Sequence, residues 1–107
     1  MYKPEEWLIV KIIGDDPHYR VFGSWRGGYV SGDSWRMNSG ITSVEKEGDY
    51  FLFYGKSGSI YRCHKEAYGV RSPYANTILS EYKSKLKDKF EVLVKMPKVM
   101  KMDWLIK

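Results

Sequence analysis

Apolar and polar positions along the 107-residue chain fall into two regimes. The first two thirds carry short apolar or alternating runs separated by turn residues, the pattern of an antiparallel sheet. Trp7-Leu8-Ile9-Val10-Lys11-Ile12-Ile13 is a β-branched run that predicts a strand, and Gly14-Asp15-Asp16-Pro17 is turn chemistry. Tyr19-Arg20-Val21-Phe22-Gly23-Ser24-Trp25 predicts a second strand, with Gly27-Gly28 forming a tight turn onto Tyr29-Val30. Ser31 to Gly40 reads as irregular. Ile41 to Val44 is a further strand, and the chain turns at Glu47-Gly48-Asp49. Tyr50-Phe51-Leu52-Phe53-Tyr54 is apolar throughout, which predicts a central strand covered on both faces. Gly55-Lys56-Ser57-Gly58 then turns into Ile60-Tyr61-Arg62-Cys63-His64.

The period changes after Ser72. Tyr74, Ile78, Tyr82, Leu86 and Phe90 recur every four residues, and Ala75 and Leu79 widen the stripe. Ser72-Pro73 supplies an N-cap oxygen and a proline suited to the first helical position. Glu81 and Lys85 are spaced as a favourable helix-surface pair. Glu91-Val92-Leu93-Val94 predicts a last strand that Pro97 ends, and Met100 to Lys107 is either a short helix or a tail that docks Trp104. The expected architecture is α+β: an antiparallel meander sheet of five or six strands with one late helix packed on one face. Phe51 and Phe53 sit in the centre of that sheet. The helix runs from Pro73 to about Phe90 and packs through Ile78, Tyr82 and Leu86. The whole of residues 1-107 is expected to be a single domain.

Composition narrows the class. A hydrophobic fraction of 43% with 29% charged residues is that of an ordinary globular protein, and aromatic residues at 16% supply a core. No apolar run approaches the ~20 residues that span a bilayer. The start, Met1-Tyr2-Lys3-Pro4-Glu5-Glu6, lacks the pattern of a signal peptide. Cys63, the single cysteine, has no partner for an internal disulfide, which points to the reducing cytoplasm. The net charge is +5, and the surplus lies wholly in the last quarter as lysine. The arginines (Arg20, Arg26, Arg36, Arg62, Arg71) all come earlier. Lysine suits a general field, whereas arginine suits planar bidentate recognition.

One segment nearly repeats itself: Gly23-Ser24-Trp25-Arg26, then Asp33-Ser34-Trp35-Arg36, with glycines and Tyr29 between. Indole and guanidinium planes stack on bases, and arginine holds phosphate. Trp25, Tyr29 and Trp35 are therefore candidate stacking residues, and Arg26 and Arg36 candidate phosphate ligands. Asp33, Asn38 and Ser39 would supply polar selectivity. The structural alternative is that both tryptophans pack the core and the arginines cap carbonyls. Asn38-Ser39-Gly40-Ile41 is faintly echoed by Ser57-Gly58-Ser59-Ile60. Gly55-Lys56-Ser57-Gly58-Ser59 lacks the glycine span of a phosphate loop and reads as a polar hairpin turn. On a strand Arg62 and His64 share a face and could bind phosphate together, while Cys63 points to the core as a small hydrophobe. One cysteine and two histidines argue against a zinc site. No catalytic, metal or cofactor signature is present. The C-terminal lysines read most simply as a solvated face, and as a nucleic-acid footprint they would add a sequence-blind attraction.

Trp25 to Gly40, followed by Tyr50-Phe51-Leu52-Phe53 and Gly58-Ser59-Ile60-Tyr61-Arg62-Cys63-His64-Lys65, resembles small uncharacterised proteins encoded by tailed bacteriophages. The resemblance covers about the middle half of the chain. It implies an accessory protein made in an infected bacterial cell, and it favours a binder over an enzyme without assigning site residues. The expected function is a small cytoplasmic binding protein for a phosphate-bearing ligand, either a nucleotide or single-stranded nucleic acid. Trp25, Tyr29 and Trp35 would stack, and Arg26, Arg36, Arg62 and His64 would hold phosphate. The alternative is a protein–protein interaction or inhibitor module acting on a host protein through the same Trp, Tyr and Arg residues. A hydrolase or transferase using Cys63 or His64 is a third, weaker reading. Ligand-site aromatics would line a concavity, whereas interface aromatics would form an exposed patch.

Overall fold

The structure, a computed structural model, describes residues 1–27 and 32–101. Seven strands are assigned among them: β1 (Glu6–Ile12), β2 (His18–Trp25), β3 (Ser34–Met37), β4 (Ile41–Glu47), β5 (Tyr50–Gly55), β6 (Ile60–His64) and β7 (Phe90–Leu93). One α-helix, α1 (Pro73–Leu86), precedes β7. The α+β class holds, but the single meander does not. The strands form two antiparallel sheets, ordered β3-β2-β1-β7 and β4-β5-β6. The chain leaves the first sheet after Met37, and Gly40 carries it across at φ +132°, a conformation that excludes most side chains. A Cβ there would also lie 3.3 Å from Lys56 Cε.

The layers stack as three-stranded sheet, four-stranded sheet, helix. Alternation along β1 explains the arrangement. Trp7 and Ile9 face the three-stranded sheet, where they join Tyr19, Val21, Phe51, Phe53, Tyr61 and Cys63. Leu8 and Val10 face α1, with Phe22, Ala75, Leu79 and Phe90. The strands covered by layers on both faces are therefore β1 and β2, while Tyr50 to Tyr54 is the central strand of the smaller sheet, with Leu52 on its outer face also buried. Phe51 and Phe53 do enter the core. Tyr50 and Tyr54 stay half-buried on the outer face, where tyrosine is tolerated because its hydroxyl remains wet.

The N-terminal segment staples the sheets together. Tyr2 pairs in parallel with Tyr61 through Tyr2 N–H to Ile60 O (2.9 Å) and Arg62 N–H to Tyr2 O (2.8 Å). Trp7 Nε1 donates to His64 O at 2.7 Å. Trp7 also bridges to Tyr68, so residues 67–69 and β7 lie end to end along the same edge of β1.

The helix begins as the sequence predicts, with Ser72 Oγ accepting the Ala75 N–H at 3.4 Å and Pro73 in the first turn. It stops four residues early. Lys87 takes φ +55°, and a short 3₁₀ turn (Lys87–Lys89) leads into β7. Phe90 opens β7 and is fully buried, and it still stacks on Tyr82 at 5.5 Å and 17°. Ala75 and Leu79 form the buried line of the helix, and Ile78, Tyr82 and Leu86 are only partly covered. The segment expected to be irregular, Ser31 to Gly40, contains β3 among its described residues. Among the described residues no helix is long and apolar enough to cross a membrane.

Candidate functional site

Five of the expected site residues, Trp25, Arg26, Arg36, Asn38 and Ser39, lie along one seam, where β3 and the residues after it meet the N-terminal segment and the β5–β6 hairpin. Arg36 is opposite Gly23 in the β2–β3 ladder, and Trp25 is opposite Ser34, so Trp25 and Arg36 project on the same side. Gly23 is required here. A Cβ at that position would lie 2.8 Å from Pro4 Cβ and 3.7 Å from Trp25 Cη2. The missing side chain lets Pro4 and the indole settle against the strand. Trp25 Nε1 donates to Lys3 O at 2.9 Å. The exposed Arg36 guanidinium lies 4.5 Å from the Tyr2 ring centroid, and Tyr2 packs on Tyr61 at 5.0 Å. Burial pushes the Tyr61 hydroxyl up to about 12, while the nearby Arg36 charge pulls it down. The backbone N–H of Arg26 is held by Glu5 Oε1 at 2.9 Å, and its residue is exposed.

The same seam continues into a cluster of small polar groups. Asn38 is 2% exposed. Its backbone N–H donates to Val21 O (3.0 Å), and its Oδ1 accepts the Val21 N–H (2.8 Å), so backbone and side chain together extend the ladder beyond β3. Asn38 Nδ2 is buried without a hydrogen-bond partner, an arrangement that ordinarily marks a structural or ligand-related demand. Ser39 Oγ accepts the Ser57 N–H (2.9 Å) and lies 3.1 Å from Ser57 Oγ, which is 3.4 Å from Ser59 Oγ. A Cβ on Gly55 would meet Ser59 Oγ, Asn38 Nδ2 and Ser39 Oγ at 3.1, 3.3 and 3.3 Å. Two hydroxyls and an amide thus converge on Gly55. Lys56 N–H donates to Gly40 O at 3.0 Å, and its half-exposed Nζ makes an exposed 3.5 Å contact to Asp16, a pair of little energetic weight. His18 flanks Gly40. Its Nδ1 lies 2.8 Å from Asp16 O, and Arg20 Nε lies 2.9 Å from its Nε2.

The remaining expected residues lie elsewhere. Trp35 turns toward the helix, stacked on Phe22 (5.5 Å, 11°) and edge-on to Tyr82 (5.8 Å). It packs the second core and borders a recess of about 200 Å³ with Glu81 and Lys85. Alternation decided this, since Trp25 and Trp35 occupy strand positions of opposite facing. Asp33 Oδ2 accepts from Ser72 Oγ at 3.0 Å and so steadies the helix cap. Arg62 and His64 do share a face, but it is the outer face of the three-stranded sheet. Arg62 lies 3.6 Å over the Tyr50 ring and pairs with Glu47 at 3.2 Å, and His64 meets that ring edge-on. His64 Nδ1 accepts the Glu66 N–H at 3.0 Å. Tyr29 lies outside the described residues. Cys63 is fully buried, and burial raises its thiol far above the ordinary range. Among the described residues no cluster of His, Cys, Asp or Glu has the make-up of a metal site.

Tyr2, Pro4, Lys56, Ser57 and Ser59 were not singled out as site residues from the sequence. For Ser57 and Ser59 a signal was present. The two echoing segments, Asn38 to Ile41 and Ser57 to Ile60, are the two halves of the hydroxyl cluster. No protein-family model matches the chain, and neither does any curated protein or solved structure.

Proposed function

We propose that the seam binds a phosphate-bearing ligand, a nucleotide or a short stretch of single-stranded nucleic acid, without catalysing a reaction on it. The observation that carries this reading is the convergence of two kinds of group. An exposed guanidinium stacked on a tyrosine beside a half-buried tryptophan adjoins a cluster of serine hydroxyls with a buried amide donor and a lysine. Flat aromatic and guanidinium surfaces stack on a base, and hydroxyl, amide and ammonium groups donate hydrogen bonds to phosphate oxygens. Arg36, Trp25, Asn38 and Ser39 keep their expected roles, and Tyr2, Lys56, Ser57 and Ser59 join them. Trp35, Asp33, Arg62 and His64 are left out. The resemblance to small proteins of tailed bacteriophages accords with a binder acting in the cytoplasm of an infected cell.

The test is a fluorescence-anisotropy titration with a labelled oligothymidylate and with a labelled nucleoside triphosphate at low salt. Wild type is expected to bind one of them with an affinity that falls as salt rises. Arg36→Ala should weaken binding by about 1–3 kcal/mol with an unchanged melting temperature, because a stacking and phosphate contact is lost. Lys56→Ala should lower both affinity and salt dependence. If wild type binds neither probe, the reading is wrong. The Tyr2, Trp25 and Arg36 patch would then be assigned to a protein partner, for which these residue types are the usual anchors.

A further inference from the structure

The recess between β3 and α1 lies apart from the seam, because Trp35 turns toward the helix while Arg36 turns away from it. Trp35 borders it from β3, and Ile78, Glu81, Tyr82 and Lys85 border it from α1. These helical positions are spaced by three and four, so they share one face. The Trp35 and Tyr82 rings meet at 84°. Trp35 lays one face on Phe22 (11°) and Tyr82 lays one on Phe90 (17°), yet both residues remain only partly buried. The aromatic and aliphatic surface left at the recess suits an apolar group.

Charge makes the recess more than an apolar dent. Glu81 and Lys85 stand one turn apart, in the order that favours an ion pair between them. That pair is not formed: the ion pairs among the described residues join Lys56 to Asp16, Arg62 to Glu47, Lys65 to Asp49 and Arg71 to Glu6. Both Glu81 and Lys85 are exposed, and both border the recess. A carboxylate and an ammonium thus flank one apolar surface without engaging each other. A ligand carrying only positive charge would meet Lys85, and one carrying only negative charge would meet Glu81. A molecule with both charges beside an apolar body satisfies all of the lining. The volume sets its size. About 200 Å³ falls below the roughly 300–1,000 Å³ of drug-sized sites, which leaves room for a single small molecule. We propose that this recess binds a free amino acid with an aliphatic or aromatic side chain. Its ammonium pairs with Glu81, its carboxylate pairs with Lys85, and its side chain rests against Trp35, Ile78 and Tyr82.

The test uses the full chain labelled with ¹⁵N. It is titrated with L-leucine and with two relatives that each lack one charge, N-acetyl-L-leucine and L-leucinamide. Saturable shifts are expected at the Trp35 indole and the Tyr82 amide with leucine. Each relative should bind about threefold to fivefold more weakly, the scale of one exposed ion pair. Glu81→Gln and Lys85→Gln alter exposed side chains, so the fold should survive. Glu81→Gln should no longer prefer leucine to N-acetyl-leucine, because the ammonium contact is absent from both. Lys85→Gln should likewise no longer prefer leucine to leucinamide. Arg36→Ala should leave the leucine titration unchanged. The proposal is overturned by the absence of a saturable shift at tens of millimolar leucine, by equal binding of all three compounds to wild type, or by either variant keeping the wild-type preference.

Discussion

Tyr68 shows how much one hydroxyl can organise. Its ring meets Trp7 edge-on at 4.8 Å, and its oxygen lies between two strands that would otherwise bond directly. It accepts the Ile9 N–H at 3.1 Å and donates to Leu93 O at 2.5 Å. Burial pushes this hydroxyl up to about 12 from its ordinary value of 10.0. Between those two values the unfolded chain gives up the proton and the folded chain keeps it. The stabilisation is thus complete below pH 10 and is lost as pH rises toward 12; Tyr61 acts in the same direction. Tyr68→Phe should lower stability at neutral pH by about 1–3 kcal/mol, because two backbone groups lose their bridge. Urea denaturation at a series of pH values should also show a shallower alkaline loss than wild type. An equally steep loss in the variant would remove Tyr68 from this role. Neither Tyr68 nor Asn38 announced its part in the sequence. Each bonds to a backbone group far along the chain, and local pattern carries no such information.

At the scale of elements, α1 was the most legible feature and still differed from expectation in two ways. The four-residue repeat placed the stripe on Ile78, Tyr82 and Leu86, but the buried line is Ala75 and Leu79, with Tyr74 42% exposed. The physical reason is the narrow contact of one helix on a sheet: small Ala75 allows close approach, and the large flanking residues spread to either side. Leu79→Ala should therefore cost about 2–5 kcal/mol, and Leu86→Ala distinctly less, as read from chemical denaturation midpoints. A larger loss for Leu86 would return the stripe to its predicted position. The end of α1 was illegible because a lysine, and not a glycine or proline, takes the positive φ that stops it. β3 was missed because glycine-rich flanks hide a four-residue strand whose apolar positions alternate only as Trp35 and Met37.

For the whole molecule, the decisive arrangement is the three layers, which give β1 and β2 two covered faces and leave the three-stranded sheet one. Cys63 lies in the inner core between the sheets. Its thiol should resist a neutral thiol reagent in the native protein and react at once in denaturant, because it is fully buried and its ionisation is suppressed. Prompt reaction of the native protein would contradict the packing.

By itself the sequence determined the α+β class, most strand and turn positions, the capped start of α1 and the inward facing of Cys63. All of these depend on periodicity and local backbone chemistry, which a single chain displays. Only the tertiary structure decided that there are two sheets, that Trp35 is core while Arg36 stays at the surface, and that Asn38 and Ser39 meet Ser57 and Ser59. Those outcomes depend on which strands pair and in what register. Register is settled by the joint burial of many side chains and backbone groups far apart in the chain, and a one-residue shift would have exchanged Trp35 for Arg36.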